Sequence, residues 1–331
     1  MTSEFALIES IARDLRGRRA RGVVIGIGDD AAVLRPLRGE DLVVTVDSLV
    51  EGRHFRRAWL SWRDLGWRLA AINLSDIAAM GAQPKFALVS LAVPRDVPAR
   101  AVRAIERGAA RHLGRHGAVI VGGNLSSTSG PLVCDLTLIG TCRHGKAWRR
   151  GARSGDAIVV AGELGAAAAG ATLLSSKPRP ARSAALVRAF ARPVPRLDIA
   201  AALRGVVAVH GAIDVSDGLS SDLIHMCEAA GLGCEVKGTA LPIPRSVAAF
   251  CRARGIDATI WAMDAGEDYA LVLGVAPQRA AEVCRRIERA GVRASVIGRF
   301  TRRRGDYRLI DAAGRAQRFR PGGWDHFRES S

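Results

Sequence analysis

No apolar run in the 331 residues approaches the ~20 that a membrane-crossing helix needs. The opening segment, MTSEFALIESIARD, lacks the basic, apolar and small-residue order of a signal peptide. A cytoplasmic enzyme is the expectation. The six cysteines, Cys134, Cys142, Cys227, Cys234, Cys251 and Cys284, contain no C-x-x-C pair, which argues against a zinc motif or a disulfide framework. They lie on apolar segments and read as reduced core residues. Lysine is scarce beside arginine, and there is no long basic tail and no aromatic-basic interleaving. The net charge of +17 is therefore spread along the chain and suits a surface that attracts anionic substrates. A nucleic-acid-binding protein, which would cluster its arginines on one face, is the alternative from another class. No Ser-His-Asp or Cys-His constellation for nucleophilic catalysis stands out either.

What is present is the profile of an ordinary globular chain, 48% hydrophobic and 24% charged, long enough for two domains of about 100–200 residues. Thr2 to Leu15 reads as a short amphipathic helix. Strand-like runs follow at Val23 to Leu34, broken by Gly26 and Gly28, and at Asp41 to Val50. Ser61 to Met80 carries helical periodicity through Leu65, Leu69, Ile72 and Ile77, ended by Gly81 and Pro84. Strands are expected at Lys85 to Val93, Ala118 to Asn124 and Pro131 to Cys142, with a helix near Pro98 to Leu113. Patterning lapses in RHGKAWRRGARSGD, so the domain boundary is placed there, giving domains 1–148 and 149–331. The second half restarts with a strand entering a small-residue helix (Asp156 to Gly170). It continues through a loop at Ser175 to Ser183, a helix at Leu219 to Ala230 capped by Gly231, and strands near Asp268 to Val275 and Arg293 to Gly298. Strands and helices alternate without a fixed repeat, the pattern of an α/β chain.

The chemistry-bearing residues are aspartates at the ends of apolar runs, where an unpartnered carboxylate is costly. Asp29 and Asp30 follow a glycine turn, either as turn residues or aimed at a common cation. In LVVTVDS the strand period of two puts Leu42, Val44 and Val46 on one face and Val43, Thr45 and Asp47 on the other. Thr45 and Asp47 thus share a side, an oxygen pair suited to Mg²⁺ or the polar face of a half-exposed edge strand. Asp76 interrupts an apolar helix, with Asn73 three residues earlier on the same face. In VIVGGNLSSTSG a strand runs into two glycines, an amide and a hydroxyl-rich loop that would let backbone N–H groups approach phosphate oxygens. Neither G-K-[ST] nor G-x-G-x-x-G occurs there, so the segment is neither a P-loop nor a Rossmann turn. In AIDVSDGLSSDLIHM, Ser216 or Asp217 can cap the following helix, which leaves Asp214 unexplained. Glu267 and Asp268 stand similarly between strand-like runs.

Taken in order, GIGDDAAVL, TVDSLVEGRHF, AINLSDIAAMGAQP, GGN, IDVSDGLSSDL and GEDYALVL resemble the motif set of bacterial thiamine-monophosphate kinases, from about Phe5 to the terminal WDHF. That family shares its superfamily with aminoimidazole ribonucleotide synthetase, whose activity is the closest enzyme alternative. The resemblance implies an α/β fold with α+β-type layers: two domains of the aminoimidazole ribonucleotide synthetase-like kind, a homodimer built through the N-terminal sheets, ATP as co-substrate and several Mg²⁺ ions. By the same resemblance Asp30, Thr45, Val46, Asp47, Asp76, Asn124, Asp214 and Asp217 would be metal ligands, Val46 through its main-chain carbonyl. Gly123, Asn124, Arg149 and Ser216 would touch the nucleotide, and His54, Glu267 and Trp324 would contact thiamine monophosphate. Arg149, Asp47 and Asp76 would carry the catalysis. The sequence departs from the family at Asn124, where an aspartate is usual, and at Val46, where threonine is common.

Overall fold

The computed structural model describes residues 23–25, 33–34, 38–144, 147–148, 151–176, 184–204, 206 and 208–323. The expected helix at Thr2 to Leu15, most of the loop after Ser175, and Asp30, Arg149 and Trp324 lie outside them. The chain divides into two compact units. One holds residues 1–77 and 82–147, the other 78–81 and 148–331.

In the first unit β1 (Val23–Ile25) and β2 (Val33–Leu34) pair antiparallel. A four-stranded sheet is formed by β3 (Glu40–Val50), β4 (Gln83–Pro94), β5 (Val119–Thr128) and β6 (Val133–Arg143), in the order β3-β6-β4-β5. Only β4 and β5 run parallel. Between β3 and β4 lies α1 (Trp62–Ala79), and between β4 and β5 lies α2 (Ala99–Arg115). β5 extends past the expected strand end through the hydroxyl-rich stretch to Thr128, because β4 runs alongside it as far as Pro94.

The period of two in β3 separates two unlike faces. Thr45, Asp47 and Leu49 pair with Leu138, Leu136 and Cys134, all three of them fully buried. Leu42, Val44 and Val46 stand on the other face at 54, 61 and 64% exposure. β3 is an edge strand as one reading of the sequence allowed, but the side open to solvent is apolar rather than polar. In α1, Leu65, Leu69, Leu74 and Ile77 are buried with Asn73 and Ser75, so almost no solvent face remains.

The second unit is built on a mixed seven-stranded sheet of order β13-β12-β9-β11-β7-β10-β8. Its strands are β7 (Ala157–Ala161), β8 (Val209–Asp214), β9 (Gly233–Lys237), β10 (Leu271–Val275), β11 (Ala294–Thr301), β12 (Tyr307–Ile310) and β13 (Ala316–Arg318). The helices are α3 (Ala166–Ser175), α4 (Ala184–Ala191), α5 (Leu197–Ala202), α6 (Leu219–Ala230), α7 (Arg245–Arg252), α8 (Ala258–Asp264) and α9 (Ala280–Arg289). Ile158, Val160, Ile213, Leu219, Leu223, Val272 and Phe300 form the centre of its core. Burying each such side chain stabilises the fold by roughly 1.5–3 kcal/mol. α6 ends where expected, on Gly231 in the left-handed conformation. Five cysteines are buried and Cys284 is partly so, all of them free thiols.

Candidate functional site

In the first unit the register of β3 and the pitch of α1 bring Thr45 and Asp76 together, and the Thr45 hydroxyl donates to the Asp76 carboxylate. Asp76 is half-buried near the end of an otherwise buried helix, and Asp47 lies two residues from Thr45 on the same strand face. Asn73, one helical turn before Asp76, donates its amide to the Leu69 carbonyl at 3.0 Å. Its Oδ1 is buried with no hydrogen-bond partner among the described residues. The donors on this face are hydroxyl, carboxylate and amide oxygens, the set a hard cation takes. Val46 turns its side chain to the opposite, exposed face, so only its main chain is available here.

Asn124 is exposed on edge strand β5, in register with Ser90, which pairs in turn with Asp135 and, through it, Ser48. The Ser48 hydroxyl donates to Asp135, a carboxylate that sequence reasoning passed over. A Cβ on Gly123 would stand 1.9 Å from the Val89 carbonyl oxygen, so that position admits only glycine. His54 follows β3 in a tight turn: the Val50 N–H donates to His54 Nδ1 at 3.0 Å, leaving the ring proton on Nε2 as a donor. The turn is braced by Glu51, which binds Arg57 at 2.6 Å and accepts the Leu132 N–H.

In the second unit three stretches converge on the loop between β8 and α6. Asp214 ends β8 and is 7% exposed. Gly218, rather than Ser216 or Asp217, takes the N-cap position of α6. Asp222, one turn into α6, reaches back instead and accepts the N–H groups of Ser216, Asp217 and Gly218 at 3.1, 3.2 and 3.1 Å. It is 2% exposed, and burial, with the nearby charges of Asp214 and Asp217, pushes its carboxyl up to about 8. Asp222 therefore fixes the turn that carries Ser216 and Asp217. The sequence signal for it was an acid in the first turn of a helix behind a glycine N-cap.

The Glu267 N–H donates to the Ser216 carbonyl at 2.8 Å and the Tyr269 N–H to the Val215 carbonyl at 2.9 Å. Glu267 and Tyr269 both have positive φ, 68° and 52°, each costing about 1–3 kcal/mol that the surrounding bonds must offset. The two acids of this segment part company. Asp268 turns inward and caps α3 from a distant part of the chain, accepting the N–H groups of Gly165 and Ala167. Its burial pushes the carboxyl up to about 7. Glu267 is left at the turn beside Ser216.

Among the described residues no group of three His, Cys, Asp or Glu side chains is arranged to hold a metal by protein ligands alone. Mg²⁺ keeps several waters and is commonly bound through one or two carboxylates plus substrate phosphates. Thr45 with Asp76 in one unit, and Asp214 with Asp217 in the other, provide oxygen donors of that kind.

Residues 28–142 match the family model for the N-terminal domain of AIR synthase related proteins, and residues 153–311 match that for the C-terminal domain. A thiamine-monophosphate kinase from Rhodopirellula baltica is 35% identical over 330 residues, 96% of each chain. A crystal structure of thiamine-monophosphate kinase from Stenotrophomonas maltophilia superposes with a TM-score of 0.81 at 33% identity, covering 95% of this chain and 98% of that one. A structure of AaThiL complexed with AMPPCP and TMP superposes with a TM-score of 0.76 at 28% identity, covering 98% and 97%.

Proposed function

We infer the reaction from the premise that this chain belongs to the thiamine-monophosphate kinase family. It is an ATP-dependent kinase that moves the γ-phosphoryl group onto the phosphate of thiamine monophosphate, giving thiamine diphosphate. The observation that carries the assignment is the likeness over nearly the full length of both chains. AaThiL, of the same fold, is complexed with AMPPCP and TMP, and by analogy we assign both substrates to this chain.

The site chemistry supports the reading. The acceptor is already an anionic phosphate oxygen, so no general base is required, and catalysis rests on position and charge. Thr45, Asp47, Asp76, Asp214 and Asp217, with the Val46 carbonyl and with Asp30, would hold Mg²⁺. The metal, when bound, offsets the repulsion between the triphosphate and the acceptor phosphate. Asn124 would offer an amide oxygen where the family pattern has a carboxylate, from the face of the sheet opposite Thr45 and Asp47, since it is in register with Ser90, Asp135 and Ser48. Gly123 lets the β5 backbone come close, and Ser216 offers a hydroxyl to the nucleotide from a turn that Asp222 keeps in one shape. Arg149 stabilises charge on the transferring group. His54, Glu267 and Trp324 contact the acceptor, with the Nε2–H of His54 as donor.

We further assign a homodimer formed through the four-stranded sheet, supported by the uncovered apolar row Leu42, Val44 and Val46 and by Leu88 at 37% exposure. Among the described residues no helix is long and apolar enough to cross a membrane. We assign the enzyme to the cytoplasm, where ATP is supplied. The direct test is incubation with ATP, Mg²⁺ and thiamine monophosphate. Thiamine diphosphate and ADP should appear in equal amounts, and folded protein that forms neither refutes the assignment.

A further inference from the structure

At the end of β3 a side chain takes over the strand's pairing. After the Val50–Val133 pair the Glu51 N–H still donates to the Leu132 carbonyl at 2.9 Å, but the Leu132 N–H donates at 3.2 Å to the Glu51 carboxylate instead of to a strand carbonyl. Leu132 is fully buried, so without that carboxylate its N–H would be orphaned in the core. The chain is thereby free to leave the ladder and turn at Gly52, whose φ is +85°. The Gly52 N–H donates to the Phe55 carbonyl at 2.8 Å, and the Arg53 and His54 N–H groups donate to the Val50 carbonyl at 3.1 and 2.9 Å. Phe55, 1% exposed, anchors the far end. On the open side of this edge strand the Val50 N–H donates to His54 Nδ1 at 3.0 Å, so both the backbone and the ring of His54 are tied to Val50. The other oxygen of Glu51 accepts Arg57 Nε at 2.6 Å, and Arg57 reaches on to Asp96, between β4 and α2, at 2.6 Å. Glu51 thus joins the His54 turn to the start of β6 and, through Arg57, to the loop after β4.

We propose that Glu51, with Arg57 acting through it, is a positioning residue for the phosphate acceptor. The pair holds the His54 turn in the shape that keeps Nδ1 occupied by the Val50 N–H and the ring proton on Nε2. The proposal rests on the kinase reading above, which gives His54 to the acceptor, and adds two residues to which that reading gives no part. Exposure ranks the contacts. Asp96 is 69% exposed and its ion pair with Arg57 contributes little, whereas Glu51 is 20% exposed and makes both of the side-chain bonds at the base of the turn. The effect is confined to the acceptor side, because Thr45 and Asp47 lie within the continuous β3–β6 ladder from Glu40 to Val50 and do not depend on the turn beyond it.

The test is a double-mutant cycle of Glu51→Gln and His54→Ala, with steady-state kinetics varying thiamine monophosphate and ATP separately and thermal unfolding of each protein. Glutamine keeps an oxygen for the Leu132 N–H and loses the charge that holds Arg57. Glu51→Gln should therefore raise KM for thiamine monophosphate about fivefold and change KM for ATP less than about twofold. In the His54→Ala background the same substitution should change the acceptor KM less than about twofold, because its effect passes through His54. Arg57→Gln breaks the same pair from the outer side and should follow the same pattern, so it carries the test if Glu51→Gln fails to fold. An unchanged acceptor KM, acceptor and ATP values rising in parallel, or the full rise persisting without His54 overturns the proposal. Wild type that phosphorylates thiamine monophosphate while the cycle is additive refutes this proposal alone. Wild type that never does so refutes the kinase assignment and the positioning role with it.

Discussion

Replacing Glu106 by glutamine should change how stability responds to pH. Glu106 lies on α2, is 7% exposed, and its Oε2 has no hydrogen-bond partner among the described residues. Burial lifts its carboxyl from 4.5 to about 7. The folded chain therefore binds this proton more tightly than the unfolded chain does. The resulting stability is complete below about pH 4.5 and is lost as pH rises through about 7. A gap of that size corresponds to about 3 kcal/mol. Glutamine keeps the shape and is neutral at every pH, so Glu106→Gln should match wild type at the acid end and exceed it by about 2–3 kcal/mol near pH 8.5. Other groups that titrate in this range, such as Asp222 and Asp268, are common to both proteins and cancel in the difference. Equilibrium urea unfolding at a series of pH values measures that difference. Parallel curves from about pH 5 to about pH 8.5 would refute the claim that burial holds the Glu106 carboxyl protonated.

Further outcomes follow from the same structure. Asp76→Asn removes the charge to which the Thr45 hydroxyl donates, and turnover should fall at least about a hundredfold with a thermal midpoint close to wild type; wild-type rates would take Asp76 out of the metal site. Gly123→Ala must push its Cβ away from the Val89 carbonyl at a cost of about 1–3 kcal/mol, and calorimetric titration should show weaker binding of a non-hydrolysable ATP analogue. Val44→Lys places a charge on the uncovered apolar row, and sedimentation should find monomer at concentrations where wild type is a dimer. Chelation of divalent ions should abolish turnover, and added Mg²⁺ should restore it; activity that persists in chelator would remove the metal from the account.

Local periodicity made much of the first unit legible. The alternation in β3 placed Thr45 and Asp47 on one side, and the apolar repeat of α1 singled out Asp76 as the exception. The structure joins the two through the Thr45–Asp76 hydrogen bond, a contact across 31 residues that neither pattern could announce. What periodicity could not say was which face of β3 is covered. Leu42, Val44 and Val46 look like core residues in sequence and stand exposed in the chain, a difference that only packing against another surface decides.

In the second unit the motif order marked Asp214, Ser216, Asp217 and Glu267, but not what holds them. Asp222 reads as an ordinary acid early in a helix until its three backbone bonds are seen. Asp268 reads as a partner of Glu267 until the structure shows it capping α3 across about a hundred residues of sequence. Capping by Ser216 or Asp217 was reasonable chemistry, yet Gly218 takes the position, because the loop closes so tightly that a Cβ there would lie 2.6 Å from the Asp264 carbonyl oxygen. The Asp268 cap is a long-range satisfaction of backbone N–H groups, invisible to a window along the chain.

The measurement that bears most directly on the whole account is the stoichiometric phosphorylation assay on the purified protein. With ATP, Mg²⁺ and thiamine monophosphate, thiamine diphosphate should form one-for-one with ADP, and no ADP should form when the acceptor is omitted. Folded, Mg²⁺-supplied protein that leaves thiamine monophosphate unchanged, while consuming ATP with a formylglycinamidine substrate instead, would contradict it.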